Sequence, residues 1–173
     1  MNVLWLATRS TGLAAIALLS VVVVLGIANT GGWGSTIWPR IFTSGLHKRI
    51  ALLAVSFLAV HIVTTIIDGY VAVNWIDAVV PFVAGYETLW LGLGTLGFDL
   101  LIILIVSSLA RNRLNPTVWR SIHFTAYGAW AVAMIHALGV GTDSKLTLAI
   151  ALTGAGAVAL TAIARVAVPA RIY

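Results

Sequence analysis

The sequence predicts an all-α fold: a polytopic membrane helical bundle of about five transmembrane helices, forming one domain over residues 1–173. Three observations predict it. Hydrophobic residues make up 61% of the chain and charged residues only 9%, against roughly 25% charged in soluble domains. Mean hydropathy is +1.06. Five stretches, 3–28, 44–67, 88–109, 119–138 and 146–168, each offer the ~20 mostly apolar residues that a helix needs to cross a bilayer. So apolar a chain has too little polar surface for water, and its surroundings are the lipid bilayer. Composition excludes as well as predicts. With no cysteine, disulfides, iron–sulfur clusters and zinc–thiolate sites drop out. The pI near 10.3 does not signal nucleic acid, because the basic residues lie singly or in pairs between apolar runs, as they do in membrane loops.

The first stretch, 3–28, stands where a signal peptide would, but its apolar core is too long and no small-residue cleavage site follows. It reads as a retained span. The second and fourth stretches carry all four histidines. Between the second and third lies "GYVAVNWIDAVVPFVAGYE", residues 69–87, the one sizeable loop. Its Pro81, glycines and mixed polarity suit a segment lying at the membrane interface.

Five spans put the termini on opposite faces. One face collects Arg40, Lys48, Arg49, Arg111, Arg113, Arg120, Arg165 and Arg171; the other has Arg9 and Lys145 with Asp68, Asp77, Glu87 and Asp143. The positive-inside rule makes the first face cytoplasmic, so the expectation is a multi-pass plasma-membrane protein with its N-terminus outside and its C-terminus inside. Trp5, Trp33, Trp38, Trp75, Trp90 and Trp119 fall near span ends, where interfacial indoles belong, whereas Trp130 lies deep in a helix.

The third stretch opens with "WLGLGTLGFD", in which Gly92, Gly94 and Gly97 are spaced G-x-G-x-x-G. A dinucleotide site with that spacing needs a strand before it, a soluble helix after it and an acidic residue about 20 positions on. Here a membrane helix follows, and beyond Asp99 the next acid is Asp143. The chain therefore encodes no nucleotide site, and the glycines serve close approach of a neighbouring helix or a flat cofactor to the backbone.

Ionisable groups inside a bilayer are costly and usually functional, so His47, His61, His123 and His136 carry the chemistry. The 14-residue step from His47 to His61 rises about 21 Å and the 13-residue step from His123 to His136 about 20 Å. Both helices run the same way, so His47 and His123 share an inner level and His61 and His136 an outer one. Two neutral imidazoles facing each other at one depth offer two axial ligands to a haem iron. This predicts a bis-histidine di-haem core, with His47 and His123 on the inner iron and His61 and His136 on the outer. At about 100° per residue, the 14-residue step leaves its rings only about 40° apart but the 13-residue step about 140°. The fourth helix must tilt, overwind near Gly128, or present its rings to opposite sides.

At these residues the chain resembles the ferric reductase-like transmembrane domain, shared by NADPH oxidases, ferric reductases and small actinobacterial-type members without FAD or NADPH domains. The family's H-x13-H and H-x12-H stand here as "HKRIALLAVSFLAVH" and "HFTAYGAWAVAMIH"; "WLATRSTG", "PFVAGYETLWLGLGTLGFDLLIILIVSSLAR" and "WRSIHFTAYGAWAVAMIHALGVGTD" are also similar. The resemblance implies two b haems and transmembrane electron transfer from a cytoplasmic-side donor to an outer-side acceptor, an oxidoreductase component rather than a complete enzyme. Larger members continue into flavin and nicotinamide domains, whereas this sequence stops at "VPARIY". The expected donor is thus separate, a flavoprotein reductase or a membrane quinol, with the chain a homo-oligomer or a subunit of a complex. Two alternatives stand beside this reading: a quinol-oxidising haem subunit that supplies a separate periplasmic reductase, and a cofactor-free membrane anchor or assembly subunit.

Haem propionates want cationic partners. Arg120, three residues before His123 and so on a similar helix face, and Arg49 with Lys48 beside His47, are candidates at the inner level, or else positive-inside anchors. Arg9, several residues into the first span, is the candidate at the outer level, because a cation buried there costs about 2.5–3.5 kcal/mol on insertion scales; Lys145 is a second. Asp99 lies mid-helix, as a structural polar contact or a proton carrier. Tyr127 and Trp130 lie between the two levels, as packing aromatics or as lining for an electron path.

Overall fold

The computed structural model describes residues 3–31, 39–69, 71–141 and 144–167. Trp33, Trp38, Asp143 and Arg171 lie outside the described residues. Five α-helices account for nearly everything else: α1 (Val3–Thr30), α2 (Arg40–Asp68), α3 (Thr88–Leu109), α4 (Pro116–Val140) and α5 (Ser144–Ala167), with one 3₁₀ turn, Arg111–Arg113, before α4. The helical bundle expected from composition is the fold observed.

Local chemistry sets the helix ends. Gly69, at φ 64°, closes α2 in the left-handed conformation that costs glycine nothing. Asn115 caps α4 by accepting from the Thr117 N–H at 2.8 Å, with Pro116 supplying the first helical φ. α1, α2, α3 and the Lys145–Ala167 part of α5 are each long and apolar enough to cross a membrane. α4 has the length, 25 residues or about 37 Å, but falls short in apolarity. Arg120, Ser121, His123, Thr125 and His136 dilute it, and those are the residues that a chemically active helix carries.

α1 is the hub. It packs against α2, α4 and α5, and α3 packs on α4, while α2 makes no comparable contact with α4. The face of α1 bearing Ala15, Ile16, Leu19, Ser20, Val23 and Ile27 is buried, the i, i+4 stripe expected of a helix surrounded by others. Polar ties fix three depths. Thr8 Oγ1 donates to Thr64 Oγ1 at 2.8 Å, joining α1 to α2. The Trp130 indole donates to Ser20 Oγ at 3.0 Å, joining α4 to α1. Arg165 donates to Thr30 Oγ1, joining α5 to the far end of α1. Trp130 is thus a packing residue of the α1–α4 seam, beside the buried cluster of Ile16, Met134 and Ala151.

The loop after α2 is not a helix lying flat. Residues 75–82 make consecutive turns that fold back onto α3. Asp77 is buried; its carbonyl accepts from Thr95 Oγ1 at 2.6 Å, and its carboxylate accepts from the Asn74 N–H at 2.7 Å. Phe82, at φ 65°, presses its ring where a Gly92 Cβ would stand, 2.1 Å from Phe82 Cδ1.

Candidate functional site

Because α2 and α4 lean on α1 without meeting, a gap runs between them, and their histidines face into it. At the level near the α2 N-terminus, the rings of His47 and His123 stand 6.3 Å apart between centroids, inclined at 61°. At the other level, His61 and His136 both line a cavity of about 320 Å³, within the roughly 300–1,000 Å³ of small-molecule sites. Its walls come from α1, α2, α3 and α4, including Gly12, Leu58, Phe98 and Ala133, and Val73 and Tyr86 of the folded-back loop close over it. His47 and His123 are thus brought together at one level, and His61 and His136 line one cavity at the other.

The second nitrogen of each ring is informative. His61 Nδ1 lies 2.8 Å from the Thr8 carbonyl, His47 Nδ1 3.0 Å from the Val22 carbonyl, and His136 Nδ1 2.8 Å from the Trp90 carbonyl. A carbonyl only accepts, so in all three the proton sits on Nδ1, and Nε2 keeps its lone pair. That is how metal-binding imidazoles are prepared: the outer hydrogen bond fixes tautomer and ring orientation. His123 differs. Its Nδ1 is buried without a hydrogen-bond partner among the described residues, and its ring stacks on Trp119, centroids 4.8 Å apart at 21°, with the Arg111 guanidinium 4.3 Å above the indole.

The candidate cations sort themselves by place. Arg9 lines the outer cavity, 5.0 Å from the Trp5 ring centre, with its Nη2 buried. Lys48, Arg49, Arg120 and Lys145 are exposed. Asp99 is only partly exposed and is not among the cavity-lining residues. Tyr127 is exposed, its ring 5.9 Å from Phe124. Nor does Gly128 break α4, which runs unbroken from Pro116 to Val140; a regular helix then keeps its two rings on different sides of the axis.

Sequence reasoning missed Trp119 as a neighbour of His123, and Gly12 and Gly26 as neighbours of His61 and His47. The signal for the glycines was present. Each follows the accepting carbonyl by four residues, as Gly94 follows Trp90.

Among the described residues no three His, Cys, Asp or Glu side chains converge on one point, so a bare ion with the three or four protein ligands typical of zinc has no site here. Paired imidazoles suit a group that brings its own equatorial donors. No curated protein and no solved structure matches the chain. The family model described as "Ferric reductase like transmembrane component" matches residues 11–137, from the end of "WLATRSTG" through the second α4 histidine. The chain belongs to the ferric reductase-like transmembrane component family.

Proposed function

We propose that this protein is a membrane di-haem b cytochrome that carries electrons across the bilayer, from a cytoplasmic-side donor to an outer-side acceptor. Family membership supports a transmembrane electron-transfer role, and members of the family typically bind haem. One observation carries the rest: four imidazoles from two helices are matched in pairs at two levels, three of them with Nδ1 committed to a neighbouring helix and Nε2 left open. The donor set fits haem. His47 and His123 lie 6.3 Å apart between ring centroids, a spacing at which both could hold one metal through ring nitrogens at about 2 Å.

When bound, haem supplies a one-electron ferric/ferrous couple at each level. The chain's own residues do the holding. His47 and His123 would ligate the inner group, and His61 and His136 the outer. Thr8, Val22 and Trp90 orient their rings through backbone carbonyls. Arg9 stands in the outer cavity, where a propionate needs a cation, while Arg49 and Arg120 serve the inner propionates from the exposed helix surface. Apolar side chains such as Leu58 and Phe98 line the outer cavity and would surround the group with a largely apolar shell. With α4 as the fifth crossing, the charge asymmetry of the loops sets the N-terminus outside and the C-terminus in the cytoplasm. The donor is a separate flavoprotein or a quinol. A cofactor-free anchor would have no use for four paired imidazoles, three of them prepared in this way.

The test is spectroscopic. Protein purified from haem-replete cells should show a Soret band and, after dithionite, a sharp α-band, with two haems per chain. Purified chain with neither band would end the proposal. Reduction by menaquinol alone, or only with a cytosolic flavoprotein, then identifies the donor class.

A further inference from the structure

Three histidines on two helices reach three carbonyls on two others, and one backbone pattern recurs at each contact. The acceptor is residue i and a glycine is residue i+4: Thr8 and Gly12, Val22 and Gly26, Trp90 and Gly94. In an α-helix the carbonyl of residue i already accepts from the N–H of residue i+4. Cβ at i+4 leans back toward the helix N-terminus, over that same oxygen. A side chain there stands beside the approach to the second lone pair of the carbonyl, and glycine leaves that approach clear. The structure measures the fit. A Cβ built on Gly12 would stand 2.8 Å from His61 Nδ1, and one on Gly94 2.7 Å from His136 Nδ1 and Cε1, both inside van der Waals contact. On Gly26 it would stand 3.5 Å from His47 Cε1, an ordinary contact.

We infer that Gly12 and Gly94 are positioning residues. Each opens the carbonyl one turn before it to the Nδ1–H of an outer-level histidine, so that both outer ligands are locked in tautomer and direction by the backbone of a neighbouring helix. The inner level is built otherwise. His47 has the same bond with room to spare beside Gly26. His123 has no such bond among the described residues, and no glycine lies on α3 beyond Gly97. Its ring is held by the face of Trp119. The two levels therefore grip their ligands by different means, and the outer is the more tightly specified.

This inference rests on the haem reading above, and the experiment separates the two. In the full-length protein, His61→Gly removes one imidazole and leaves its space. Loss of one low-spin haem signal in that variant tests ligation alone. Free imidazole, which can donate N–H to Thr8, should restore the signal at about 2- to 10-fold lower concentration than 1-methylimidazole, which cannot; that factor is the range for one hydrogen bond. In His123→Gly the two compounds should rescue within about 2-fold of each other. Equal rescue at both positions, or a preference for imidazole at position 123 alone, would overturn the lock while leaving ligation intact. If neither compound enters His61→Gly, Gly12→Ala carries the test. It must shift the spectrum of the haem that His61→Gly and His136→Gly remove, and by more than Gly26→Ala shifts the other. An unchanged spectrum in Gly12→Ala overturns the lock. Should that variant fail to accumulate, Gly94→Ala reads the same device from the opposite ligand.

Discussion

Gly94→Ala should loosen one haem, because the new side chain meets the imidazole that would hold it. The new Cβ would stand 2.7 Å from His136 Nδ1 and Cε1, where ordinary contact begins near 3.4 Å. The imidazole must retreat by about 0.7 Å, and its 2.8 Å bond to the Trp90 carbonyl stretches toward 3.5 Å, beyond hydrogen-bonding range. Losing that bond costs about 0.5–1.5 kcal/mol, and crowding a packed site a further ~1–3 kcal/mol. The sum, about 1.5–4.5 kcal/mol, corresponds to about 10- to 1000-fold in ligand occupancy at 1.4 kcal/mol per decade. Because His136 and Trp90 belong to the chain itself, part of this cost falls on the stripped chain too, offset by the about 0.8–1.0 kcal/mol by which a helix interior favours alanine over glycine. The assay is a haem-to-protein ratio with a dithionite difference spectrum, run beside thermal unfolding of the haem-stripped chain. The expected result is one haem weakened or shifted, with the stripped chain no more stable than before. Full occupancy with both haem spectra unchanged would refute the reasoning.

Three further outcomes follow from the same geometry. His47→Ala and His123→Ala should each remove the same spectral component, and His61→Ala and His136→Ala the other; if loss of His47 and loss of His123 affected different components, the pairing would be wrong. Trp119→Leu should broaden the low-spin resonance of the haem assigned to His47 and His123, because it removes the 4.8 Å stack from a His123 ring whose Nδ1 has no hydrogen-bond partner among the described residues; Tyr127→Leu, on an exposed surface, should leave both resonances unchanged in electron paramagnetic resonance. Ser20→Ala deletes the acceptor of the Trp130 indole, and inter-helix hydrogen bonds in membranes average about 0.6 kcal/mol. Detergent-unfolding curves should therefore fall by that order, with haem content unaffected.

Helix number, order and approximate limits were legible in the sequence because lipid imposes one requirement, about 20 apolar residues per span, and four helices meet it openly. The stretch 119–138 was read from the same apolar pattern, although α4 is less apolar than the others, diluted by Arg120, His123 and His136. Relative depth along a helix follows from rise per residue, which is a rigid number. Azimuth was not legible. The 13-residue step in α4 gives about 140°, and only the placement of α3 shows why that is tolerable: His136 turns to the Trp90 carbonyl while His123 turns to His47. Nor could the sequence reveal that the G-x-G-x-x-G run is three unrelated devices. Gly92 admits the Phe82 ring, Gly94 admits His136, and Gly97 lies against the α4 backbone at Ala129 and Ala133. Each partner lies on another segment, at a distance that no local pattern encodes. Trp119 looked like one more interfacial indole for the same reason.

The gap between α2 and α4 raises the question of what keeps it open. In lipid there is no hydrophobic drive between helices, so they associate through van der Waals packing and polar contacts. Two helices with small residues would close on each other unless tethered elsewhere. α1 supplies the tethers. Its Thr8 holds α2 through Thr64, its Ser20 holds α4 through Trp130, and its Thr30 holds α5 through Arg165. Its carbonyls at Thr8 and Val22 also aim both histidines of α2. α3 does the corresponding work for α4, accepting from His136 and packing Gly97 against its backbone. The helices that carry the histidines are thus each held from behind by a helix that carries none. The distance across the site follows from those two seams.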